Sequence, residues 1–500
     1  MVVLSGVEIP KNIKYKIGMK PLKIKLLSTM VATVLVVFLS CSPALALSIK
    51  KEKEMAQKFM AMIRNQMTLI DDPMALSLVR EIGKRLVAQL PPQPFEYTFH
   101  IVDSDQFNAF ASPGANIFVN RGLITSLDNS DELAGILGHE SGHAACRHIS
   151  QMMDKAKLVN IGTLAGVLAG VLVGAKGGGD SAQAVVMGTM ATGQTAMLAY
   201  SREHEEEADQ KGLVYIKKAG FSPDGLLTGL EKIRAKDWYG TESIPGYLKT
   251  HPGSKERIIY IQSWLQDHVK EKVKDNGIDP ARFEMVKYRL AGLYGENDAT
   301  ETMLTQKLKK DPDNAAIHYG LALLLVRKSR LDQALSHLKQ ALVLKVFDPW
   351  ILMEMGRVYI LKGDPERALE VFQGLDTVAD LKLSLLFYRG TARHDLGMLA
   401  KAREDFMGVI EADDKLFPRV YYNLASIAGQ EGKQGLSHFY LGIYYHKITD
   451  GKNALFHLEK SLPDLIDPDR IEKARKIISE LKKQKKTVLF KARRSGLVKP

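Results

Sequence analysis

The chain has 500 residues, of which 45% are hydrophobic and 25% charged. That composition is ordinary for globular protein and excludes wholesale disorder. The length exceeds what one hydrophobic core usually serves, so two or three domains are expected. The formal net charge of +12 is concentrated at the two ends, in 11–25 and 482–499. No nucleic-acid motif accompanies these runs, so they read as solvated ends and no nucleic-acid partner is expected. Peripheral contact with a membrane surface is the alternative. The two cysteines are Cys41 and Cys146. If the first is lost with a cleaved leader, no intramolecular pair remains, and cysteine usage does not report the compartment.

Residues 1–46 read as a secretory signal peptide. Lys20, Lys23 and Lys25 precede the apolar run 26–39, and Pro43 and Ala44-Leu45-Ala46 follow. Basic, apolar, then small-x-small is the order a cleaved signal requires. Leu39-Ser40-Cys41 leaves a lipoprotein as one alternative, with an uncleaved membrane anchor as the other.

Further along, 116–119 (Asn116, Ile117, Phe118, Val119) reads as a strand before a turn. The segment 131–150, DELAGILGHESGHAACRHIS, then carries His139-Glu140-Ser141-Gly142-His143. Leu133, Ile136 and Leu137 precede this HExxH motif at helical spacing. On a helix, positions i and i+4 share a face. His139 and His143 can therefore reach one tetrahedral Zn²⁺ through bonds of about 2.0–2.1 Å. Glu140 sits beside the first ligand, where it can act as general base. Gly138 and Gly142 weaken the helix but allow close packing near the metal. His148 lies five residues after His143, off the spacing of an elongated zinc motif, and reads as a surface residue.

HExxH alone is weak evidence, since two surface histidines on a charged helix give the same pattern. A third ligand is expected in 201–212, SREHEEEADQKG. Glu205 and Asp209 are four apart and share a helix face. Glu205 is the predicted third ligand, and Asp209 the acceptor that orients a ligand histidine. Glu203, Glu206 and Glu207 are rivals in register, otherwise a solvated acidic face.

HESGH followed about sixty residues later by SREHEEEAD resembles the metallopeptidase family that includes the CAAX prenyl proteases, the HtpX membrane proteases and the BepA-type periplasmic proteases. FNAFASPGANIFVNRGLI in 107–124 is similar to the segment that precedes the family's zinc helix, with Ala115 where a second glycine is common. The resemblance spans about 55–265. It implies one Zn²⁺ per chain held by His139, His143 and Glu205. Glu140 would take a proton from the attacking water and return it to the leaving amine. It also implies a gluzincin-type domain, in which 116–119 is the candidate edge strand for extended substrate, with a core strand as the equal alternative. Thr250-His251-Pro252, with Arg257 beyond, is similar to a motif of the periplasmic members. His251 is therefore a candidate inhibitory fourth ligand. The alternative is a turn histidine capping the helix expected over 256–266. Between the ligands, 158–174 is apolar and Gly-rich. It is short for a bilayer span of about 20 residues, and a buried or interfacial helix is expected.

From 315 onward the chain changes character. Ala334, Ala368 and Ala402 are 34 residues apart, as are Gly356 and Gly390, and Leu338, Phe372 and Phe406. That period is the tetratricopeptide signature. Gly442, Tyr445, Ala454 and Leu458 fit a further unit after an irregular insertion around 429–436. The predicted architecture is mainly α, with an α+β metalloprotease domain followed by an α-solenoid. The predicted segments are a signal peptide over 1–46, a protease domain over 47–270, a helical connector over 271–314, repeats over 315–480 and a basic tail over 481–500. The expected function is zinc-dependent endopeptidase action in the bacterial periplasm. The resemblance implies unfolded or misassembled envelope proteins as clients, with outer-membrane assembly factors as partners of the repeats. A non-proteolytic chaperone or scaffold with a structural or latent zinc is the rival.

Overall fold

The computed structural model describes residues 48–155, 200–238, 247, 250–252, 254–268, 275–413 and 415–494. The expected signal peptide and the apolar segment 158–174 lie outside the described residues. Among the described residues, no helix is long and apolar enough to cross a membrane.

Helix α1 (Ile49–Gln66) starts where the Ser48 hydroxyl accepts from the Lys51 backbone N–H. Its buried residues Met55, Phe59 and Ile63 recur every four residues and form one stripe. Strand β1 (Leu69–Ile70) follows, then α2 (Pro73–Val87). Asp72 caps α2 by accepting from Ala75 N–H at 3.0 Å, and Pro73 occupies a first-turn position that needs no donor. Strands β2 (Thr98–Val102), β3 (Ala109–Ser112) and β4 (Asn116–Asn120) complete a sheet of order β1-β2-β4-β3. β4 runs parallel to β2 and antiparallel to β3.

Alternation divides the sheet's side chains between two cores. Phe110 and Phe118 stack on one another and meet the α1 stripe. Ala109, Ala111, Ile117 and Val119 face the opposite way, into the main core with α2. The expectation of an edge strand at Asn116, Ile117, Phe118 and Val119 is corrected here. The strand forms, but it is internal, with both ladders occupied. Among the described residues, the edge beside it belongs to β3. The hairpin between them turns at Gly114 (φ 76°) and Ala115 (φ 60°). The left-handed backbone explains why glycine suits position 115, and alanine there carries strain.

Helix α3 (Arg121–Ile124) leads into α4 (Ser130–Ala145), which Asn129 caps by accepting from Glu132 N–H at 2.9 Å. Helices α5 (His148–Lys155), α6 (Arg202–Lys218), α7 (Asp224–Trp238) and α8 (Ser254–His268) follow. Glycines set how closely α4 and α6 approach. A Cβ at Gly142 would lie 2.6 Å from the Ala208 carbonyl oxygen, and one at Gly138 2.6 Å from Ile216 Cγ1.

The connector is helical, with α9 (Pro280–Tyr294) and α10 (Asn297–Lys310). It does not separate two cores. One continuous cluster runs from the sheet through α9 into the first repeats, and a second core begins only around Phe387. Gly292 of α9 and Gly320, in the helix that follows α10, let their backbones meet closely. Arg289 of α9 is buried and pairs with Asp72 at 2.8 Å and Glu354 at 3.0 Å, with the Tyr319 hydroxyl as a third partner. This buried cluster ties the protease part to the repeats.

The solenoid comprises α11 (Ala315–Arg327), α12 (Leu331–Leu344), α13 (Pro349–Leu361), α14 (Pro365–Val371), α15 (Lys382–Asp395) and α16 (Leu399–Asp413). It continues through α17 (Arg419–Gln430), α18 (Gln434–Lys447), α19 (Gly451–Ser461) and α20 (Pro468–Arg494). The repeated glycines sit under repeated large residues. Gly356 faces Phe372, Gly390 faces Phe406 and Gly442 faces Leu458. Pro349 and Pro365 open helices, as turn prolines do. The irregular stretch around 429–436 comes from an added helix. α17 turns at Gly432 into α18, which packs against α17 on one side and α19 on the other.

Candidate metal centre

Helix α4 presents His139 and His143 on one face, and α6 brings Glu205 to meet them. The residues around 250 add His251. All four are buried, and their ligand atoms lie within 4.8 Å of one another. His139 Nε2 is 3.0 Å from His143 Nε2 and 3.3 Å from His251 Nδ1. Glu205 Oε1 is 3.3 Å from His143 Nε2 and 3.0 Å from His251 Nδ1. Ligands on a tetrahedral zinc at about 2.0–2.1 Å stand roughly 3.3–3.4 Å apart. The donor set therefore fits the edges of a zinc tetrahedron.

Hydrogen bonding behind the ligands fixes the direction of their lone pairs. Asp209 Oδ1 lies 2.7 Å from His139 Nδ1. Arg257 donates to both Asp209 oxygens, at 2.7 and 2.8 Å. Burial pushes the Asp209 carboxyl up, but Arg257 and His139 outweigh it and hold the group below its usual range. An ionised Asp209 accepts a hydrogen bond from His139 Nδ1–H and leaves the Nε2 lone pair facing the centre. That lone pair stands 3.0 Å from His143 Nε2, a spacing that suits a shared cation or a shared proton. Arg257 also lies 2.6 Å from Glu205 Oε2. Burial raises the Glu205 carboxyl too, and His251 and Arg257 bring it well below the ordinary value.

Glu140 differs from these groups. It is fully buried, and neither carboxylate oxygen has a hydrogen-bond partner among the described residues. Desolvation raises its affinity for a proton, only partly offset by His251 and His139. A partnerless carboxylate beside a metal site has the proton affinity a general base needs. His251 Nε2 is 3.5 Å from Glu140 Oε1. The same ring thus offers one nitrogen to the ligand set and turns the other toward the base.

The structure brings His139, Glu140, His143, Glu205, Asp209 and His251 together, and the strand 116–119 does not join them. The turn-cap alternative for His251 does not describe its surroundings, which are the other ligands. Glu206 is exposed. Three further residues were not legible as part of the site. Tyr200 stacks on His143 with ring centres 3.8 Å apart, and Tyr247 stacks on His251 at 4.3 Å. Single aromatics give no periodic signal, and only tertiary contact reveals them. The third is His148, which the sequence places at the surface. It is fully buried, with Nδ1 2.8 Å from His143 Nδ1 and Nε2 3.1 Å from Glu207 Oε2. Helix α4 ends at Cys146, and Arg147 takes a left-handed φ of 55°. That turn folds His148 back onto the zinc-facing helix instead of continuing its spiral outward. The Lys211 ammonium donates to Glu207 and holds its carboxyl at about 2.

An HExxH helix, a glutamate from a second helix and a carboxylate with no hydrogen-bond partner among the described residues have the arrangement of a gluzincin-type metal centre, here followed by a repeat solenoid. Residues 77–265 match the model of Peptidase family M48. It is similar to the beta-barrel assembly-enhancing protease of Escherichia coli (strain K12), 27% identical over 313 residues, 61% of this chain and 62% of that protein. The Yersinia pestis counterpart is 28% identical, with 62% and 63% covered. The mitochondrial metalloendopeptidase OMA1 of Schizosaccharomyces pombe is 28% identical, covering 46% of this chain and 65% of that one. The matched region thus spans about 62% of the first of these relatives. Among solved structures, the TPR protein YrrB is 18% identical, covering 40% of this chain and 97% of that one, with a TM-score of 0.29. That score is too low to carry argument, and the solenoid stands on the helices described above.

Proposed function

We propose that the chain is a zinc-dependent endopeptidase of the bacterial periplasm that acts in quality control of envelope or outer-membrane proteins. The observation that carries the enzymatic part is Glu140, a buried carboxylate with no hydrogen-bond partner among the described residues, beside three donors with zinc-tetrahedron spacing. His139, His143 and Glu205 would hold the ion. Zinc so held supplies Lewis-acid polarisation of a peptide carbonyl and acidification of water. Glu140 takes the proton from the attacking water and delivers it to the leaving amine. Asp209 and Arg257 keep His139 and Glu205 in their binding orientations. Extended substrate would add to the edge of β3, which has no outward strand partner among the described residues, rather than to 116–119.

The client class rests on relatives named for β-barrel assembly. The repeats would bind clients or assembly partners along the solenoid surface. One observation favours a second, latent form. His251 Nδ1 completes a four-ligand set, and a fourth protein ligand leaves no position for water. Opening such a site requires something that binds the open state preferentially, and the repeats offer a place for a client to do so.

The test uses purified zinc-loaded protein with an unfolded outer-membrane β-barrel protein, the same protein folded in detergent, and a short peptide. Chelator-sensitive cleavage of the unfolded chain is expected, with a higher basal rate in His251→Ala. Binding of the unfolded chain without cleavage by either protein would favour a non-proteolytic chaperone or scaffold.

A further inference from the structure

We propose that His148 and Glu207 are positioning residues for the metal centre, fixing through a two-histidine relay the tautomer in which His143 can bind the ion. The proposal rests on the metallopeptidase reading above and adds residues to it. Its basis is geometric. His148 is fully buried. One nitrogen meets His143 Nδ1 at 2.8 Å, and the other meets Glu207 Oε2 at 3.1 Å. His204 stacks flat on the ring, with centres 4.3 Å apart and planes 22° from parallel, which holds its orientation.

For a neutral His148, proton counting then leaves one arrangement. Two ring nitrogens at 2.8 Å share one proton between them. Glu207, ion-paired with Lys211 at 2.8 Å, only accepts. The single proton of a neutral His148 therefore sits on Nε2 and points at Glu207. Its Nδ1 carries a lone pair and accepts from His143 Nδ1–H. His143 is left with its Nε2 lone pair aimed at His139, Glu205 and His251. His139 reaches the same state directly through Asp209. The two zinc-facing imidazoles are thus held by carboxylates from one helix, α6, one directly and the other through an inserted ring.

A rival use of these atoms is a second metal site, because Cys146, His148 and Glu207 also offer ligand atoms within 4.8 Å. The proton count disfavours it. A cation on His148 Nε2 would move the His148 proton to Nδ1, facing His143 Nδ1. His143 would then carry its proton on Nε2 and lose its lone pair toward the first site. A cation is also already present, since Lys211 Nζ lies 3.2 Å from Cys146 Sγ and 2.8 Å from Glu207 Oε1.

The experiment measures zinc affinity of the full-length protein by chelator competition, with ¹⁵N chemical shifts of labelled histidines in the metal-free protein as a second readout. His148→Phe keeps a stacking ring but removes the acceptor. It is expected to weaken zinc binding about 10–100-fold, the usual cost of losing such a partner. His148→Gln can accept from His143 and donate to Glu207, and should recover most of that loss. Glu207→Gln lies on a half-exposed side chain, so folding is little threatened, and it should weaken binding in the same direction. In the parent, the shifts should show the proton on Nε2 of His148 and on Nδ1 of His143. Unchanged affinity in His148→Phe, no recovery in His148→Gln, or the opposite tautomers would overturn the proposal. A second bound zinc lost in Glu207→Gln would overturn it too, in favour of the rival site. A parent that binds no zinc while showing the expected tautomers would contradict the metallopeptidase reading and leave the relay standing.

Discussion

The close crossing of α4 and α6 makes a quantitative claim about Gly142. An alanine Cβ there would sit 2.6 Å from the Ala208 carbonyl oxygen, and ordinary contacts begin at 3.4 Å. The shortfall is about 0.8 Å against backbone, which cannot rotate away. The two helices must separate, and they carry His139 and His143 on one side and Glu205 on the other. Displacements of about 0.5 Å already degrade a metal constellation. Helix propensity favours alanine by up to about 1 kcal/mol, while overpacking typically costs 1–3 kcal/mol. The net effect on stability is therefore small to modest, about 0–2 kcal/mol of loss. The effect on zinc affinity should be larger, about tenfold or more. Gly229→Ala is the control. Its nearest neighbour would be Ile136 Cδ1 at 3.5 Å, so it should gain stability and leave zinc affinity unchanged. Urea unfolding and chelator titration on the two variants measure both quantities. If Gly142→Ala binds zinc as tightly as the parent, the helix crossing does not set the ligand geometry and the reasoning fails.

Glu205→Ala should lose zinc and activity together; retention of tight zinc would move the third ligand to another residue. Ala115→Gly should stabilise the protein by about 1 kcal/mol, since it relieves a left-handed alanine, and an unchanged urea midpoint would show the turn is not strained. Arg289→Met leaves Asp72 and Glu354 buried without their shared cation and should cost about 3–5 kcal/mol. A loss below about 1 kcal/mol by the same assay would show that the cluster does not tie protease to repeats. Burial raises the Glu354 carboxyl, but Arg357 and Arg289 bring it below its ordinary value. A depressed carboxyl contributes stability above its unfolded pKa of about 4.3, and that contribution is lost as the pH falls through the folded value. Glu354→Gln should flatten that acid limb, and an identical limb in the variant would contradict the assignment.

The chemistry of this site was legible because it follows helix periodicity. His139 and His143 sit four apart, and so do Glu205 and Asp209, so each pair had to share a face. His148 was not legible, because the helix ends between it and His143, and the left-handed Arg147 turns the chain back. The strand at 116–119 was legible from its apolar residues, but its place in the sheet was not. Strand order depends on the pairing of β2 with β4 across the intervening β3, which no local pattern encodes. Arg257 was visible only as a neighbour of the Thr250-His251-Pro252 turn, and its pairing with Asp209 and Glu205 appears only in three dimensions. In the repeats, the 34-residue spacing marked the helix pairs, while the sharing of α18 between α17 and α19 appears only in the packing. The main core continues from Ile278 of the connector into the first repeats, so a deletion starting at 315 would cut into it, and substitutions are the better probe of the repeats.

The most direct test of the central claim is cleavage of an unfolded protein substrate by Glu140→Gln at matched zinc content. The amide cannot accept a proton from water, and no ligand atom is removed. The account predicts about one zinc per chain, as in the parent, with a rate lower by about 10²–10⁴-fold. Near-parental cleavage by the zinc-loaded variant would contradict it.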